Sequence, residues 1–148
     1  LPLAALRQDL TVTLLEAALR KAAFLERWAG EFPNVTVHRA RAEDAGAADL
    51  REAYDSAVTR ALAPPAVALE WTLPLVRLGG LALLFSTLGE KKTIAKVAPL
   101  IGGSVARIVE AEDGDRALFV LEKIGPTPEN LPRRGGRARK RPLGGPGF

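Results

Sequence analysis

Residues 81–85 read Leu-Ala-Leu-Leu-Phe, an uninterrupted apolar run. Such a run is typical of a strand that is covered by helices on both faces, so we expect a central strand here. The Pro64-Pro65 pair predicts the first turn of a helix over residues 64–76, and Gly79-Gly80 is expected to end that segment. The run therefore predicts a helix that leads into a buried strand.

Strand and helix patterns alternate on either side of this run. Upstream, the predicted elements are strands at residues 10–15, 35–38 and 54–59, a helix at 16–31 and a polar loop at 39–48. Downstream, they are a helix at 90–101, closed by Gly102-Gly103, and strands at 104–110 and 116–123 around an acidic turn at 111–115. Alternation of this kind predicts an α/β architecture with a mostly parallel sheet and a C-terminal antiparallel hairpin.

Composition excludes several classes of protein. A chain of 148 residues with 47% apolar residues can bury one ordinary core. Cysteine is absent, which excludes disulfides and thiolate metal sites and favours a reducing compartment, so a cytoplasmic location is expected. Pro74, Arg77 and two glycines interrupt the longest apolar stretch, which excludes it as a membrane span. His38 is the only histidine, and we interpret it as structural, with no metal site expected.

Charge is distributed unevenly along the chain. Residues 1–122 carry a net charge of −2, whereas residues 123–148 carry +6. We therefore expect a folded domain over residues 1–123 and a basic tail, rich in Pro, Gly and Arg, over 124–148 that is too polar to fold alone. A solvated tail that only increases solubility is the alternative to a polyanion-binding one. The candidate RNA-binding residues are Arg133, Arg134, Arg137, Arg139, Lys140 and Arg141.

Four segments in order carry a resemblance to a known family. They are VTLLE at residues 12–16, RAED at 41–44, TRALAP at 59–64, and GPTP at 125–128 followed by LPRRG at 131–135. Together they resemble the 16S ribosomal RNA guanine-N7 methyltransferases, the glucose-inhibited-division protein B family. The resemblance implies a Rossmann-like class I methyltransferase sheet, S-adenosylmethionine as cofactor, and a monomer that acts on small-subunit ribosomal RNA or its assembly particle.

The resemblance also implies a cofactor site at the switch point of the sheet. Glu16 would accept hydrogen bonds from the ribose hydroxyls of the cofactor, and Ala17 and Ala18 would line the same pocket. Judged by residue type alone, Glu16 is as well suited to stabilising the N-terminus of the following helix through its dipole.

Ala42, Glu43 and Arg60 are the other residues to which the resemblance gives a cofactor role. Ala42 and Glu43 would contact the adenine ring, although a solvated charged loop is the alternative for this segment. Arg60 follows an apolar strand, so we expect a largely buried guanidinium there that needs an anionic partner. That partner is a cofactor group if the resemblance holds, or Asp55 or Glu70 if Arg60 is purely structural.

Two departures from the family pattern qualify these expectations. The Gly-rich cofactor loop of the family and the strand before it lie upstream of the apolar segment 1–6, so we expect both to be missing from this chain. Ser86-Thr87 stands where relatives place Lys-Gly, and Lys91 or Lys92 is the candidate substitute.

The expected reaction is methylation of a guanine N7 in 16S ribosomal RNA. N7 already has an in-plane lone pair, so alignment and electrostatics suffice and no catalytic acid or base is expected. The alternative is a non-catalytic RNA-binding remnant of the same fold.

Overall fold

The computed structural model describes residues 1–145, which form two compact units. The first unit is Leu1–Ala42, and the second begins at Glu43. Each unit has its own sheet, one of two strands and one of four. The α/β class expected from the sequence is confirmed, and both sheets are built from the elements that the alternating pattern indicated.

The first unit is a strand-helix-strand arrangement preceded by a short helix. Its elements are α1 (Pro2–Leu6), β1 (Val12–Leu15), α2 (Leu19–Ala29) and β2 (Val35–His38). β1 and β2 pair in parallel, with Val12 opposite Val35. The side-chain amide of Asn34 donates to the carbonyl oxygens of Ala4, Arg7 and Leu10 at 3.2, 3.3 and 2.9 Å, which ties the chain around α1 to the start of β2.

The second unit contains a mixed sheet with the strand order β3-β4-β6-β5. Its elements are α3 (Ala42–Ala45), which begins at the unit boundary, β3 (Tyr54–Arg60), α4 (Pro65–Thr72), β4 (Val76–Thr87), α5 (Lys91–Val97), β5 (Gly103–Glu110), β6 (Arg116–Lys123) and α6 (Arg137–Lys140). β3 and β4 are parallel, whereas β6 is antiparallel to both β4 and β5. The predicted C-terminal hairpin is therefore confirmed.

The core of the second unit lies on one face of β4. Ala82 and Leu84 point into a cluster that includes Phe119, and Ile94 of α5 packs into it. Alternate residues of a strand face opposite sides, so Leu81 and Phe85 project the other way and are 37% and 46% exposed. The prediction that both faces of this strand are covered is therefore wrong for the described residues.

The boundaries around β4 differ from the predicted ones. α4 ends at Thr72, a 3-10 turn follows at Leu73–Leu75, and β4 begins at Val76, so Gly79 and Gly80 lie inside the strand. The pairing with β3 jumps here from Tyr54 opposite Val76 to Ser56 opposite Leu81. A Cβ atom at Gly80 would lie 2.6 Å from the Asp55 carbonyl oxygen. Glycine at this position therefore allows two strands to approach closely, and it does not mark the end of a helix.

The basic tail lies within the second unit. The N–H groups of Ile124 and Gly125 both donate to the carbonyl oxygen of Gly102, the residue after the 3-10 turn Ala98–Ile101, at 2.9 Å, which holds the start of the tail against the end of that turn. Further along, the side chains of Leu131, Ala138 and Leu143 are at most 4% exposed. Residues 146–148, the end of the predicted tail, lie outside the described residues.

Within the part of the chain that the structure describes, no helix combines the length and the apolar character needed to cross a bilayer.

Candidate functional site

Glu16 directly follows β1 and is half-buried. Its Oε1 accepts a hydrogen bond of 2.7 Å from the N–H of Ala18, the N-cap residue of α2, which has no side-chain cap of its own. The carboxylate thus stabilises the helix start, as the alternative reading of this residue predicted. Its Oε2 makes no hydrogen bond within residues 1–145, so Glu16 retains an acceptor beside the exposed Ala17 and Ala18.

The segment predicted as a loop over residues 39–48 contains a short helix, α3. The loop prediction is wrong here because the single turn Ala42–Ala45 is too short to show a hydrophobic period. Ala42 is half-buried, and Glu43 is only 4% exposed. A solvated loop therefore describes Arg41 and Asp44, which are exposed, but not Glu43.

Arg60 ends β3, an edge strand of the four-stranded sheet, and it is exposed. The prediction of a largely buried guanidinium is wrong, because β3 is paired only with β4 among the described residues. Both alternative partners are occupied elsewhere, since Asp55 binds Arg77 and Glu70 binds Arg133. Arg60 is therefore not a structural ion-pair residue within the second unit.

Ala61, next to Arg60, has a feature that sequence patterns did not reveal. Its φ is +53°, a left-handed conformation that is uncommon for residues other than glycine, asparagine and aspartate. Strained backbone of this kind clusters at functional sites. No residue-type signal marks it, because alanine is not among the residues that favour this conformation.

The predicted cofactor residues are divided between the two units. Glu16, Ala17, Ala18 and Ala42 belong to the first, and Glu43 and Arg60 belong to the second. That these groups share one crevice stays a prediction.

The tail cations fall into different environments. The Arg133 guanidinium donates through Nε and Nη2 to the two oxygens of the fully buried Glu70 carboxylate, and the Arg133 backbone N–H donates to the same carboxylate at 2.9 Å. Arg139 lies over the ring of Trp71, 5.1 Å from its centroid. Arg134 is exposed and 3.8 Å from Asp44. Among the predicted RNA-binding residues, Arg133 is thus engaged inside the fold.

A cleft of about 400 Å³ lies at the surface of the tail. It is lined by Arg133, Arg137, Lys140 and Arg141. The last three are exposed, and their side chains make no ion pair or hydrogen bond within residues 1–145. The arrangement is suited to binding an anion.

Comparison with known proteins assigns the chain to a family. Residues 1–112 match the sequence profile of GidB, described as rRNA small subunit methyltransferase G. The chain belongs to the GidB family. It is 38% identical over 153 residues to the ribosomal RNA small subunit methyltransferase G of Carboxydothermus hydrogenoformans, an alignment that covers 97% of this chain and 65% of that protein. The chain thus spans just under two thirds of the length of that GidB relative.

Solved structures show the same fold at low identity. A mutant of the 16S rRNA (adenine(1408)-N(1))-methyltransferase from Catenulisporales acidiphilia matches with a TM-score of 0.68 and 12% identity, over 86% of this chain and 79% of that one. The T. thermophilus 16S rRNA N2 methyltransferase, solved with AdoMet and guanosine, matches with a TM-score of 0.58 and 22% identity, over 84% of this chain and 32% of that one. The expected Rossmann-like methyltransferase fold is confirmed for this GidB chain.

A polar cluster of half-buried Glu52 with buried Lys123 and Thr127 holds the start of the tail in this GidB chain. The Lys123 side chain is fully buried, and its Nζ donates to the Leu73 carbonyl oxygen at 3.0 Å and lies 3.2 Å from Glu52 Oε1. Burial lowers the pKa of Lys123, and the Glu52 carboxylate opposes that shift. Burial also raises the pKa of Glu52, but hydrogen bonds from Thr127 and Lys123 outweigh it, so this pKa is lowered.

Glu52→Gln is expected to lower the free energy of unfolding by about 2 kcal/mol at neutral pH, because it leaves the Lys123 ammonium without its counterion. The folded-state pKa of Glu52 lies below the ordinary 4.5, so its stabilising contribution is complete above that value and is lost as the pH falls through the folded-state pKa. The free energies of unfolding of the unsubstituted protein and of Glu52→Gln should therefore converge as the pH falls. Urea unfolding at a series of pH values measures this, with exposed Glu129→Gln as the control; a difference that is independent of pH would contradict it.

Proposed function

We propose that the intact protein transfers a methyl group from S-adenosylmethionine to a guanine N7 of small-subunit (16S) ribosomal RNA. GidB membership supports the reaction class. The observation that carries the proposal in this chain is Glu16 at the carboxyl end of β1, with one carboxylate oxygen used by the helix and the other unbonded within residues 1–145. Ligands of α/β sheets bind at this end of the strands.

The chain's residues fit such a cofactor. The open oxygen of Glu16 is a suitable acceptor for a ribose hydroxyl, and the small, exposed Ala17 and Ala18 leave space beside it. Ala42 and Glu43 would contact the adenine, and Arg60 offers an exposed guanidinium with no partner in the second unit. When bound, S-adenosylmethionine supplies a methyl group on a sulfonium sulfur that departs as a neutral thioether.

The protein's own contribution to the reaction is positioning. Because guanine N7 offers a lone pair in its neutral form, no side chain has to remove a proton before transfer. We therefore assign no catalytic acid or base. Ser86 and Thr87 stand where the resemblance implies Lys-Gly, and exposed Lys91 and Lys92 at the start of α5 are the candidate substitutes. We propose ribosomal RNA or its assembly particle as the partner, and a monomer in the cytoplasm as the acting form.

Glu16→Gln tests the cofactor assignment. Glutamine still accepts a hydrogen bond from the Ala18 N–H but removes the charge, so helix α2 should form while the affinity of the full-length gene product for S-adenosylmethionine falls by about tenfold or more. Isothermal titration calorimetry measures the affinity, and the same loss is expected for Arg60→Ala. Exposed Glu26→Gln on α2 is the matched control. Unchanged affinity in both site variants would refute the assignments.

A non-catalytic RNA-binding protein is the second candidate, because the cationic cleft lies wholly in the second unit and needs no cofactor. Transfer of a labelled methyl group from S-adenosylmethionine to 16S ribosomal RNA separates the two. RNA binding without methyl transfer would favour the non-catalytic protein. A G-x-G turn after an apolar strand, encoded upstream of Leu1, would favour the enzyme.

A further inference from the structure

The cationic cleft is built by one helical turn of the tail. Arg137 and Lys140 lie three residues apart in α6 (Arg137–Lys140), a spacing that places side chains on the same face of a helix, and Arg141, the residue that follows the helix, lines the same cleft. Like charges at this spacing repel one another. No acidic side chain pairs with any of the three within residues 1–145. The face thus carries a concentration of positive charge that an anion would neutralise.

The turn is held in place from its other faces. Ala138 is fully buried, and Arg139 is placed over the ring of Trp71. Beyond the turn, Leu143 is 2% exposed, and the Lys96 ammonium donates to the Gly144 carbonyl oxygen at 2.7 Å. Since buried contacts set the orientation of the turn, its three exposed cations are positioned before any ligand arrives.

Arg133 lines the same cleft but has a different function. Two of its guanidinium nitrogens, Nε and Nη2, bind the Glu70 carboxylate, whose side chain is fully buried in α4. A bidentate pair of this kind fixes both partners in direction as well as distance. Arg133 therefore connects the cleft to the core, and Glu70 acts on the cleft through it.

We propose that this cleft is a preformed site for a backbone phosphate of the RNA substrate, with Arg137, Lys140 and Arg141 as its ligands and the Glu70–Arg133 pair as the positioning element. This deepens the proposed function and rests on it. A volume of about 400 Å³ accommodates a phosphodiester group with its neighbouring atoms. Cations contribute to RNA binding mainly by neutralising phosphates and releasing counterions, so the site should show in the salt dependence of affinity.

The main test compares two triple variants of the full-length gene product. One is Arg137→Gln/Lys140→Gln/Arg141→Gln, and the other removes the same charge elsewhere, as Lys21→Gln/Arg27→Gln/Arg107→Gln, all exposed positions. Affinity for a fluorescein-labelled single-stranded RNA of roughly 12 nucleotides is measured by anisotropy at several salt concentrations. The cleft variant should lose about 0.7 from the magnitude of the slope of log K against log salt, because one phosphate of a single strand is no longer neutralised, and the control should lose little.

Equal changes in the two triple variants would overturn the proposal, because diffuse charge would then explain binding. An unchanged slope in the cleft variant would also overturn it. Neither result bears on methyl transfer, which is measured separately on the unsubstituted protein. Failure of the proposed function is therefore distinguishable from failure of the phosphate site. Inorganic phosphate at constant ionic strength distinguishes free phosphate from RNA phosphate as the ligand. The assignment to RNA is wrong if inorganic phosphate raises the melting temperature of the unsubstituted protein but not of the cleft variant, while the two proteins bind RNA equally.

Glu70→Gln separates positioning from charge. This substitution makes the protein more positive by one unit, so a purely electrostatic surface would bind RNA more tightly. The proposal predicts the opposite, an affinity lowered several-fold under conditions where the variant is folded, because Arg133 loses its fixed partner. Tighter binding would contradict the positioning function, and the triple variants keep the cleft testable if Glu70→Gln does not fold.

Discussion

Glu70→Gln is expected to lower the free energy of unfolding by about 3 kcal/mol. The Glu70 side chain is fully buried and the Arg133 side chain is only 16% exposed, so the variant leaves a guanidinium largely removed from water without its counterion. The Arg133 backbone N–H also loses its charged acceptor, which adds to the effect. Urea unfolding followed by far-UV circular dichroism measures the change.

The exposed pair of Asp55 and Arg77 is the matched control. These side chains are 85% and 54% exposed, and Arg77 Nε lies 2.7 Å from Asp55 Oδ1. Asp55→Asn should cost less than about 1 kcal/mol, because solvent already screens this pair. A second comparison is Glu70→Leu/Arg133→Leu, which removes both charges and should recover part of the loss. Equal losses in Glu70→Gln and Asp55→Asn would contradict the buried-pair explanation.

Arg51→Ala is expected to lower the free energy of unfolding by about 2 to 3 kcal/mol, because one guanidinium serves three backbone carbonyls of the tail. Its Nη1 donates to the Leu131 oxygen at 2.6 Å, and its Nη2 donates to the Thr127 and Pro128 oxygens at 2.6 and 3.1 Å. The variant should also expose the tail to trypsin sooner, since these bonds hold it to the second unit. Urea unfolding and timed proteolysis measure the two effects.

Arg51→Lys isolates the geometry from the charge. A lysine ammonium is a single point of donation and does not span separate carbonyls as the planar fork does, so a loss of about half that of alanine is expected. Arg77→Ala, which removes an exposed guanidinium, should cost under about 1 kcal/mol. Full stability in Arg51→Lys would show that charge alone holds the tail.

The fold was largely predictable because its signals are local. The turn at 111–115 was indicated by acidic residues and glycine, and the structure closes it with Gly114 at a φ of +71° and a hydrogen bond of 2.8 Å from the Ala111 N–H to the Arg116 oxygen. The central strand was equally clear from residues 81–85. The helix predicted to reach residue 76 was extended too far, because apolar residues in a short run fit a helix or a buried strand equally well.

The candidate site was less predictable because pairing between distant residues leaves no local pattern. Glu70 and Arg133 are 63 positions apart, and nothing near Arg133 distinguishes it from the five other tail cations. The same limit made Arg60 look buried, since the residues around it are apolar, whereas its strand is at the edge of the sheet. Only the assembled unit shows which charges are satisfied.

The sequence by itself determined the α/β class, the C-terminal hairpin, the family and the position of an acidic residue at the end of β1. These follow from periodicity, turn residues and short motifs, which depend on near neighbours in the chain. The tertiary structure alone decided that Arg133 is tied to Glu70 while Arg137, Lys140 and Arg141 remain exposed in one cleft. The reason is that burial and counterion contact are properties of three-dimensional packing, which brings together residues that the chain keeps far apart.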